Sequence, residues 1–333
     1  MSLEVPLQVL LKDKAAFGDR RPSFFELSLR RSFVSLERGP YDIAFIGHMC
    51  FDEVIPYQGA PRVAPGSAVL CGALAAARVG KKVAVVTRMA PKDKNILEPM
   101  RQNGIEIHVI PAAETTYMKV VHPTADVDER QIYQLVNAGF FSLSDMPPLS
   151  ARQVHLAGIT DQEFDLDFIR GMKEAGYRLS ADMQSFVRQV QPVLRSIAFQ
   201  DVPNKKEIVR QLDMVKLDGV EAKVLTGTDD LERAALVLEG WGCPEIVITQ
   251  AEGILARANG KTCYEKFSNQ SVVGRTGRGD TTFAAYLARR MDHEAAESLK
   301  FAAALVSIKM ETPGPFNGTL ADVLARMQTK HAG

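Results

Sequence analysis

The sequence has few cysteines and no excess of charge of either sign. Its four cysteines among 333 residues form no CxxC pair and no spacing typical of a zinc site, so we expect a reducing compartment. Lysine plus arginine and aspartate plus glutamate number 40 each, which makes the formal net charge zero. Because proteins that neutralise many nucleic-acid phosphates usually carry a basic excess, this balance argues against nucleic acid as a partner.

Long apolar runs are also missing. No stretch approaches the roughly 20 apolar residues that are needed to span a bilayer, which argues against a membrane partner. Lys12, Asp13 and Lys14 interrupt the first apolar residues, so the amino terminus does not resemble a secretory signal. We therefore expect a cytoplasmic location.

The first 40 residues differ in composition from the rest of the chain. They combine arginines with phenylalanines and show no clear strand period. Such an extension could bind an anionic surface, or it could pack on the body of the protein or on a second subunit. We treat residues 1–40 as an N-terminal extension and predict one domain over residues 41–330.

From Tyr41 onward, short apolar runs alternate with helix-like segments. Residues 42–46 and 214–217 are typical of buried strands, and residues 68–79 form a small-residue helix pattern that ends at Gly80. Repeated strand–helix units predict an α/β fold with a central, mostly parallel sheet and helices on both faces. The segment 117–136 interrupts this order with two hairpin-like runs, which are typical of a small excursion such as a lid.

The most informative feature is a glycine-rich turn at residues 274–280, before a helix that we expect to begin at Asp280. Gly277 and Gly279 allow backbone conformations in which consecutive N–H groups point into one concavity, and the helix start adds its positive dipole end. These features suit a phosphoryl group that develops charge during transfer. Asp280, at the edge of that site, would accept the proton of an attacking hydroxyl.

The glycine-rich turn, Asp280 and the pair Asp182 and Gln184 also have other interpretations. Asp280 is also a favoured helix N-cap, which would make its role structural. The turn is not a Walker A loop, because no Gly-Lys-Ser/Thr follows, and it is not a GxGxxG dinucleotide fingerprint. Asp182 and Gln184 follow a predicted strand at the edge where an α/β sheet opens, so they would line an acceptor site or cap the next helix.

Four motifs in order resemble the PfkB, or ribokinase-like, carbohydrate kinase family from about Tyr41 to the C-terminal region. Residues 274–280 match the family's Asp-Thr-x-Gly-Ala-Gly-Asp signature, and Gly66–Ser67 before a small-residue helix matches its Gly-Gly motif. Gly47 with Asp52 matches the end of its first strand, and residues 218–221 match its Asn-x-x-Glu motif. The resemblance implies a three-layer sandwich with a small β lid, with lid strands near residues 53–63 and 115–136.

The resemblance also implies roles for individual residues. Asp280 would be the catalytic base, and the N–H groups of Gly277, Arg278 and Gly279 would form the anion hole. The acceptor hydroxyls would contact the substrate-binding candidates Asp52, Gly66, Ser67, Asp182 and Gln184. The donor, ATP, would contact the nucleotide-binding candidates Lys216, Thr249, Gly253, Arg275 and Gly314. Mg²⁺ would be organised through water by Glu221 and Asp218.

Several positions depart from the family pattern. Cys71 stands where many members carry an acceptor-binding Asn, and Ser67 replaces the second Gly of the Gly-Gly pair. Gly274–Arg275 replaces Asp-Thr, and Arg278 replaces Ala. The two arginines would add positive charge beside the transferring phosphate, or would point to solvent or to a nearby carboxylate.

The predicted function is therefore an ATP- and Mg²⁺-dependent phosphotransferase that acts on a small polyhydroxylated acceptor. Asp52, Asp182 and Gln184 favour a sugar or a cyclitol, and a nucleoside is the alternative. A non-catalytic protein that binds a metabolite or nucleotide on the same fold is a second hypothesis. An oxidoreductase would need a glycine fingerprint after the first strand, which is missing. By resemblance, the lid would also form a homodimer contact.

Overall fold

The computed structural model describes residues 41–126 and 129–329, and the predicted extension of residues 1–40 lies outside the described residues. The strands are β1 (Tyr41–Ile46), β2 (Cys50–Ile55), β3 (Arg62–Gly66), β4 (Val83–Met89), β5 (Glu106–Pro111), β6 (Thr116–Val121), β7 (Gln131–Val136), β8 (Ala151–Leu156), β9 (Leu179–Asp182), β10 (Arg188–Val190), β11 (Ile197–Phe199), β12 (Met214–Asp218), β13 (Glu245–Thr249), β14 (Gly253–Ala258) and β15 (Lys261–Lys266).

Helices of very different length connect these strands. They are α1 (Ala68–Arg78), α2 (Glu98–Gln102), α3 (Leu166–Glu174), α4 (Gln184–Val187), α5 (Lys205–Gln211), α6 (Gly219–Thr226), α7 (Leu231–Gly240), α8 (Arg278–Arg290), α9 (Ala295–Met310) and α10 (Leu320–Thr329), with 3₁₀ turns at Pro91–Leu97 and Leu143–Asp145. Within the described ranges, no helix combines the length and the apolar character that crossing a bilayer requires.

The central sheet has nine strands in the order β15-β14-β13-β12-β9-β8-β1-β4-β5. Neighbouring strands from β13 to β5 run parallel, whereas β14 and β15 are added antiparallel at one edge. Parallel strands place their carboxyl ends at one edge of the sheet, where α/β proteins bind ligands. The predicted mostly parallel α/β fold is confirmed.

The strand sequences explain why helices cover both faces of this sheet. In β1, Ile43 and Phe45 join one apolar cluster, whereas Ala44 and Ile46 join the other, and all four are fully buried. Side chains of successive strand residues point to opposite faces, so an apolar run without alternation needs cover on both sides. This pattern produces the predicted three-layer arrangement.

A second sheet of four strands, in the order β3-β2-β6-β7, forms the lid sheet. Strand β2 runs antiparallel to β3 and parallel to β6, and β6 and β7 form the antiparallel pair that the sequence pattern predicted. Buried His48, between β1 and β2, joins the base of this sheet through hydrogen bonds of 2.9 Å to Thr116 Oγ1 and 2.8 Å to Gly139 O. The homodimer contact expected of the lid remains a prediction.

The hairpin of β10 and β11 was not predicted from the sequence. Its connecting loop contacts β7, because the Gln134 N–H donates to Arg195 O and Arg195 Nε donates to Gln134 O, both at 2.9 Å. This hairpin therefore links the lid sheet to the segment that follows β9.

Ser67, the residue before α1, has an unusual backbone conformation. Its φ of 147° lies in a region that favours glycine, and its Oγ accepts a hydrogen bond from Leu70 N at 3.0 Å as the helix N-cap. Such a conformation costs a non-glycine residue about 1–3 kcal/mol, whereas glycine costs only a few tenths of a kcal/mol as an N-cap.

We expect Ser67→Gly to raise the free energy of unfolding by about 1 kcal/mol, because the relieved strain exceeds the lost cap and the added chain entropy. Ser67→Ala is the control, since it keeps the strained conformation and loses the hydroxyl, and we expect it to lower stability by about 1 kcal/mol. Urea unfolding measures both. A glycine variant that is no more stable than the alanine variant would contradict the strain argument.

Candidate active site

Two adjoining cavities open at the carboxyl edge of the central sheet. The inner cavity, of about 520 Å³, lies between the lid sheet and the glycine-rich turn. The outer cavity, of about 750 Å³, is bordered by the β10–β11 hairpin and the loop after β13. Residues that line both cavities are Arg130, Ile132, Ile197, Asp218, Thr249, Arg275 and Arg278.

The glycine-rich turn brings Asp280 to the inner cavity. Helix α8 begins at Arg278, earlier than predicted, because Gly277 adopts a left-handed conformation with φ 75° and serves as the N-cap. Asp280 therefore lies in the first helical turn and makes no capping hydrogen bond, so the alternative in which it caps the helix does not apply. Its half-buried carboxylate lines the inner cavity, and Gln184 Nε2 donates to Asp280 Oδ1 at 3.5 Å.

Two of the three glycines in the turn, Gly277 and Gly279, are closely approached by other side chains. A Cβ atom on Gly277 would lie 2.4 Å from Cys71 Sγ, and one on Gly279 would lie 2.9 Å from Lys216 Nζ. Burial raises the pKa of the Cys71 thiol to about 12, so Cys71 packs against the turn as a neutral group. The Arg278 N–H donates to Arg275 O at 3.1 Å, so this amide is engaged within the turn.

Lys216 and Asp182 form a buried ion pair behind the turn. Lys216 Nζ lies 2.8 Å from Asp182 Oδ2, and the two side chains are only 3% and 2% exposed. Burial alone would lower the pKa of Lys216, but the nearby carboxylates, with Asp182 first, raise it above the usual value. Asp182 is absent from the lining of both cavities, so its place is behind the site rather than at the acceptor.

Asp218 and Glu221 form a capping box at the start of α6. The Glu221 N–H donates to Asp218 Oδ1 and the Asp218 N–H donates to Glu221 Oε2, both at 2.8 Å. Glu221 is fully buried, and its other oxygen, Oε1, accepts from Arg188 Nη2 at 3.1 Å. Asp218 lines both cavities and is half-buried.

These residues fit Mg²⁺ only in a water-mediated manner. In the described part of the chain, no three His, Cys, Asp or Glu side chains converge as a metal site. Mg²⁺ usually binds through one or two carboxylates together with waters and substrate phosphates, and Asp218 can contribute Oδ2, the oxygen that the capping box does not use. Glu221 would act behind it, because both of its oxygens already accept hydrogen bonds.

Asp52 faces the inner cavity from the lid sheet. A Cβ atom on Gly66 would lie 1.9 Å from Asp52 Oδ2, so only glycine leaves room for this carboxylate. Cys50 Sγ donates to Asp52 Oδ1 at 3.3 Å. Burial raises the pKa of Asp52, the hydrogen bond from Cys50 opposes that shift, and the charge of Asp280 adds to it.

Of the remaining predicted site residues, some line one or both cavities and one lines neither. Ser67 and Gly314 line the inner cavity, although Gly314 was predicted to contact the nucleotide. Thr249 lines both cavities. Gly253 lines neither, since it lies within β14, where a Cβ atom would be 2.4 Å from the Tyr264 hydroxyl. Arg130 was not predicted as a site residue, because no local pattern shows that the residue before β7 borders the same cavity as the glycine-rich turn.

The sequence matches the description "pfkB family carbohydrate kinase" over residues 40–321. A curated cytidine kinase from Thermococcus kodakarensis is 26% identical over 262 residues, which cover 74% of this chain and 87% of that protein.

Two solved structures support the same assignment. A sulfate complex of a pyrophosphate-dependent kinase in the ribokinase family is 32% identical, with a TM-score of 0.79 over 85% of this chain and 99% of that chain. A complex of a pyrophosphate-dependent kinase with a pyrophosphate analogue and myo-inositol is 30% identical, with a TM-score of 0.77 over 85% and 99% of the two chains.

We expect Lys216→Met to lower the free energy of unfolding by about 3–5 kcal/mol, because it leaves the buried Asp182 carboxylate without its partner. The double variant Asp182→Asn with Lys216→Met should recover most of this loss, since no unpaired charge remains. Urea unfolding of the two variants and the wild type measures the difference. Equal destabilisation of the single and the double variant would show that the charge pair is not the cause.

Proposed function

Because the chain belongs to the pfkB family of carbohydrate kinases, we propose that it phosphorylates a hydroxyl of a cyclitol or a sugar. Its membership makes the protein a phosphotransferase. The observation that supports this acceptor class is the lining of the inner cavity, which presents the carboxylates of Asp52 and Asp280 and the amide of Gln184.

Carboxylates and amides suit a ring that carries many hydroxyls, because each hydroxyl can donate to one of them. A nucleoside base is commonly held by stacking on an aromatic ring. Among the described residues, no Phe, Tyr, Trp or His lines the inner cavity. The relative that was solved with myo-inositol is consistent with a cyclitol, whereas the cytidine kinase makes a nucleoside the acceptor to test against it.

In the proposed reaction, Asp280 takes the proton of the attacking hydroxyl as its oxygen forms a bond to the transferring phosphorus. The bond between that phosphorus and the donor's bridging oxygen breaks, and the leaving phosphate retains the electron pair. The amides of Gly277 and Gly279 and the ammonium of Lys216 behind them stabilise the charge that develops. Mg²⁺, when bound, neutralises donor phosphate charge, and Asp218 with Glu221 would hold it.

The outer cavity fits ATP as the donor. Apolar side chains of Ile132, Ile197, Phe199 and Val220 line it and offer a surface for a base. Its volume of about 750 Å³ lies within the range of pockets that hold drug-sized ligands.

Inorganic pyrophosphate is a second candidate donor. Guanidinium groups from two separate segments meet at the two cavities, since Arg130, before β7, and Arg275 and Arg278, in the glycine-rich turn, line both. Burial lowers the pKa of Arg278 to about 10, and the neighbouring Arg275 contributes, which shows how closely these cations are gathered. Two relatives at 30–32% identity depend on pyrophosphate, so a donor made of phosphate alone also fits this site.

A donor comparison separates these possibilities. The wild type is incubated with myo-inositol, a panel of sugars and cytidine, with Mg²⁺ and either ATP or pyrophosphate, and phosphorylated product is detected by mass spectrometry. We expect a cyclitol or sugar phosphate. If product forms with ATP and not with pyrophosphate, ATP is the donor. If product forms with pyrophosphate and not with ATP, the proposal that ATP is the donor is rejected. Cytidine as the best acceptor would overturn the proposed acceptor class.

We expect Asp280→Asn to lower kcat by about 10²–10⁴-fold with little change in the KM of the acceptor, because an amide cannot take the proton. Asp52→Asn is the matched comparison in the same cavity, and we expect it to act mainly by raising the KM of the acceptor. Steady-state kinetics with the best acceptor measure both. An Asp280→Asn variant with the wild-type kcat would show that Asp280 is not the base.

A further inference from the structure

Lys309 is a fully buried lysine near the end of α9, in a helix whose other buried residues are mostly apolar. Its Nζ donates to the main-chain oxygens of Gly274 and Thr276, in the glycine-rich turn. In the described part of the chain, no carboxylate lies within ion-pair distance of this ammonium group. A buried charge without an ion-pair partner is costly unless its hydrogen bonds are specific, so these carbonyl contacts need an explanation.

The turn is held tightly against the end of α9. The Gly274 N–H donates to Met310 O at 2.8 Å, and a Cβ atom on Gly274 would lie 1.9 Å from Thr312 O. Glycine at position 274 thus permits the approach that brings the carbonyl groups to Lys309.

The direction of these carbonyls determines the direction of the amides. Among the described residues no peptide bond is cis, and in a trans peptide the C=O and the following N–H point in opposite directions. When Lys309 draws the Thr276 oxygen inward, the Gly277 N–H in the same peptide unit points away from Lys309. Gly277 lines the inner cavity, where the proposed anion hole receives the phosphoryl group.

We propose that Lys309 is a positioning residue whose ammonium acts as an internal monovalent cation, holding residues 274–277 with the Gly277 amide directed at the transferring phosphoryl group. The inference rests on the proposed function of this turn as the anion hole. Converging main-chain carbonyls are ligands that proteins use for monovalent cations, and here a lysine from α9 supplies the cation. Burial lowers the pKa of Lys309, and the charge of Asp280 opposes that shift without reversing it.

The test uses two variants and an exposed control. Lys309→Met removes the charge and keeps most of the volume, whereas Lys309→Ala leaves a space that a small ammonium ion can enter. Lys300→Met, on the exposed side of the same helix, is the matched control and should keep the wild-type rate. Thermal melts establish that each variant is folded.

We expect both Lys309 variants to lose kcat by about 10²-fold with little change in the KM of the acceptor, as when one oxyanion donor is lost. Ammonium, methylammonium or n-propylammonium ions should restore a substantial part of the rate to Lys309→Ala. They should not restore Lys309→Met, in which the space is filled, and tetramethylammonium at equal ionic strength should restore neither. A role in packing alone would not respond to these cations.

A binding measurement keeps the result independent of turnover. Calorimetric titration with inorganic phosphate should give a Kd at least tenfold weaker for Lys309→Met than for the wild type and Lys300→Met. If the wild type phosphorylates no acceptor, the proposed function fails, and the phosphate titration alone decides on Lys309. A folded Lys309→Met variant with the wild-type kcat or phosphate affinity, or a Lys309→Ala loss that no ammonium ion restores, would overturn the inference.

Discussion

Everything at this site depends on how closely other groups approach two glycines. Cys71 Sγ and Lys216 Nζ occupy the space where Cβ atoms of Gly277 and Gly279 would stand. The missing side chains let a buried ammonium lie directly behind the main chain that we propose as the anion hole. The Lys216 ammonium is preorganised, because folding has already removed it from water when it forms the buried pair with Asp182. Lys309 adds a second buried ammonium on the carbonyl side of the same turn.

The lid sheet is joined to the central sheet by polar contacts that are themselves buried. Glu163 accepts hydrogen bonds from the His48 and Ile159 amides, and the His48 ring bonds Thr116 and Gly139. Because each of these groups would be costly to bury alone, the network fixes where the lid begins. Arg130, before β7 of the same sheet, lines both cavities. The segment before β7 thus places a cation at the cavity that we propose for the donor.

The charges in this site are arranged by depth. Asp52 and Asp280 both face the inner cavity, and the pKa of Asp52 is raised by burial and by the charge of Asp280. Most of the cations that face the cavities are guanidinium groups, which form paired hydrogen bonds with phosphate. Lys309 lies behind the main chain instead, whereas Lys216 borders the inner cavity while it pairs with the buried Asp182. A neutral polyol can thus be held by carboxylates only a short distance from a cluster of cations that suits polyphosphate.

The sequence by itself determined the fold class, the family and the glycine-rich turn with Asp280, because these depend on local periodicity and on motifs that are contiguous in the chain. It did not determine that Asp182 pairs with Lys216, that Gly314 borders the inner cavity, or that Arg130 reaches the turn. Lys309 also gave no local signal beyond a single charge in an apolar helix. Each of these contacts is between segments that are distant in the chain. Only the packing of the helices and sheets determines which distant segments meet. The helix start at Arg278 was misjudged for a related reason: whether Gly277 adopts a left-handed conformation depends on its surroundings as well as on its identity.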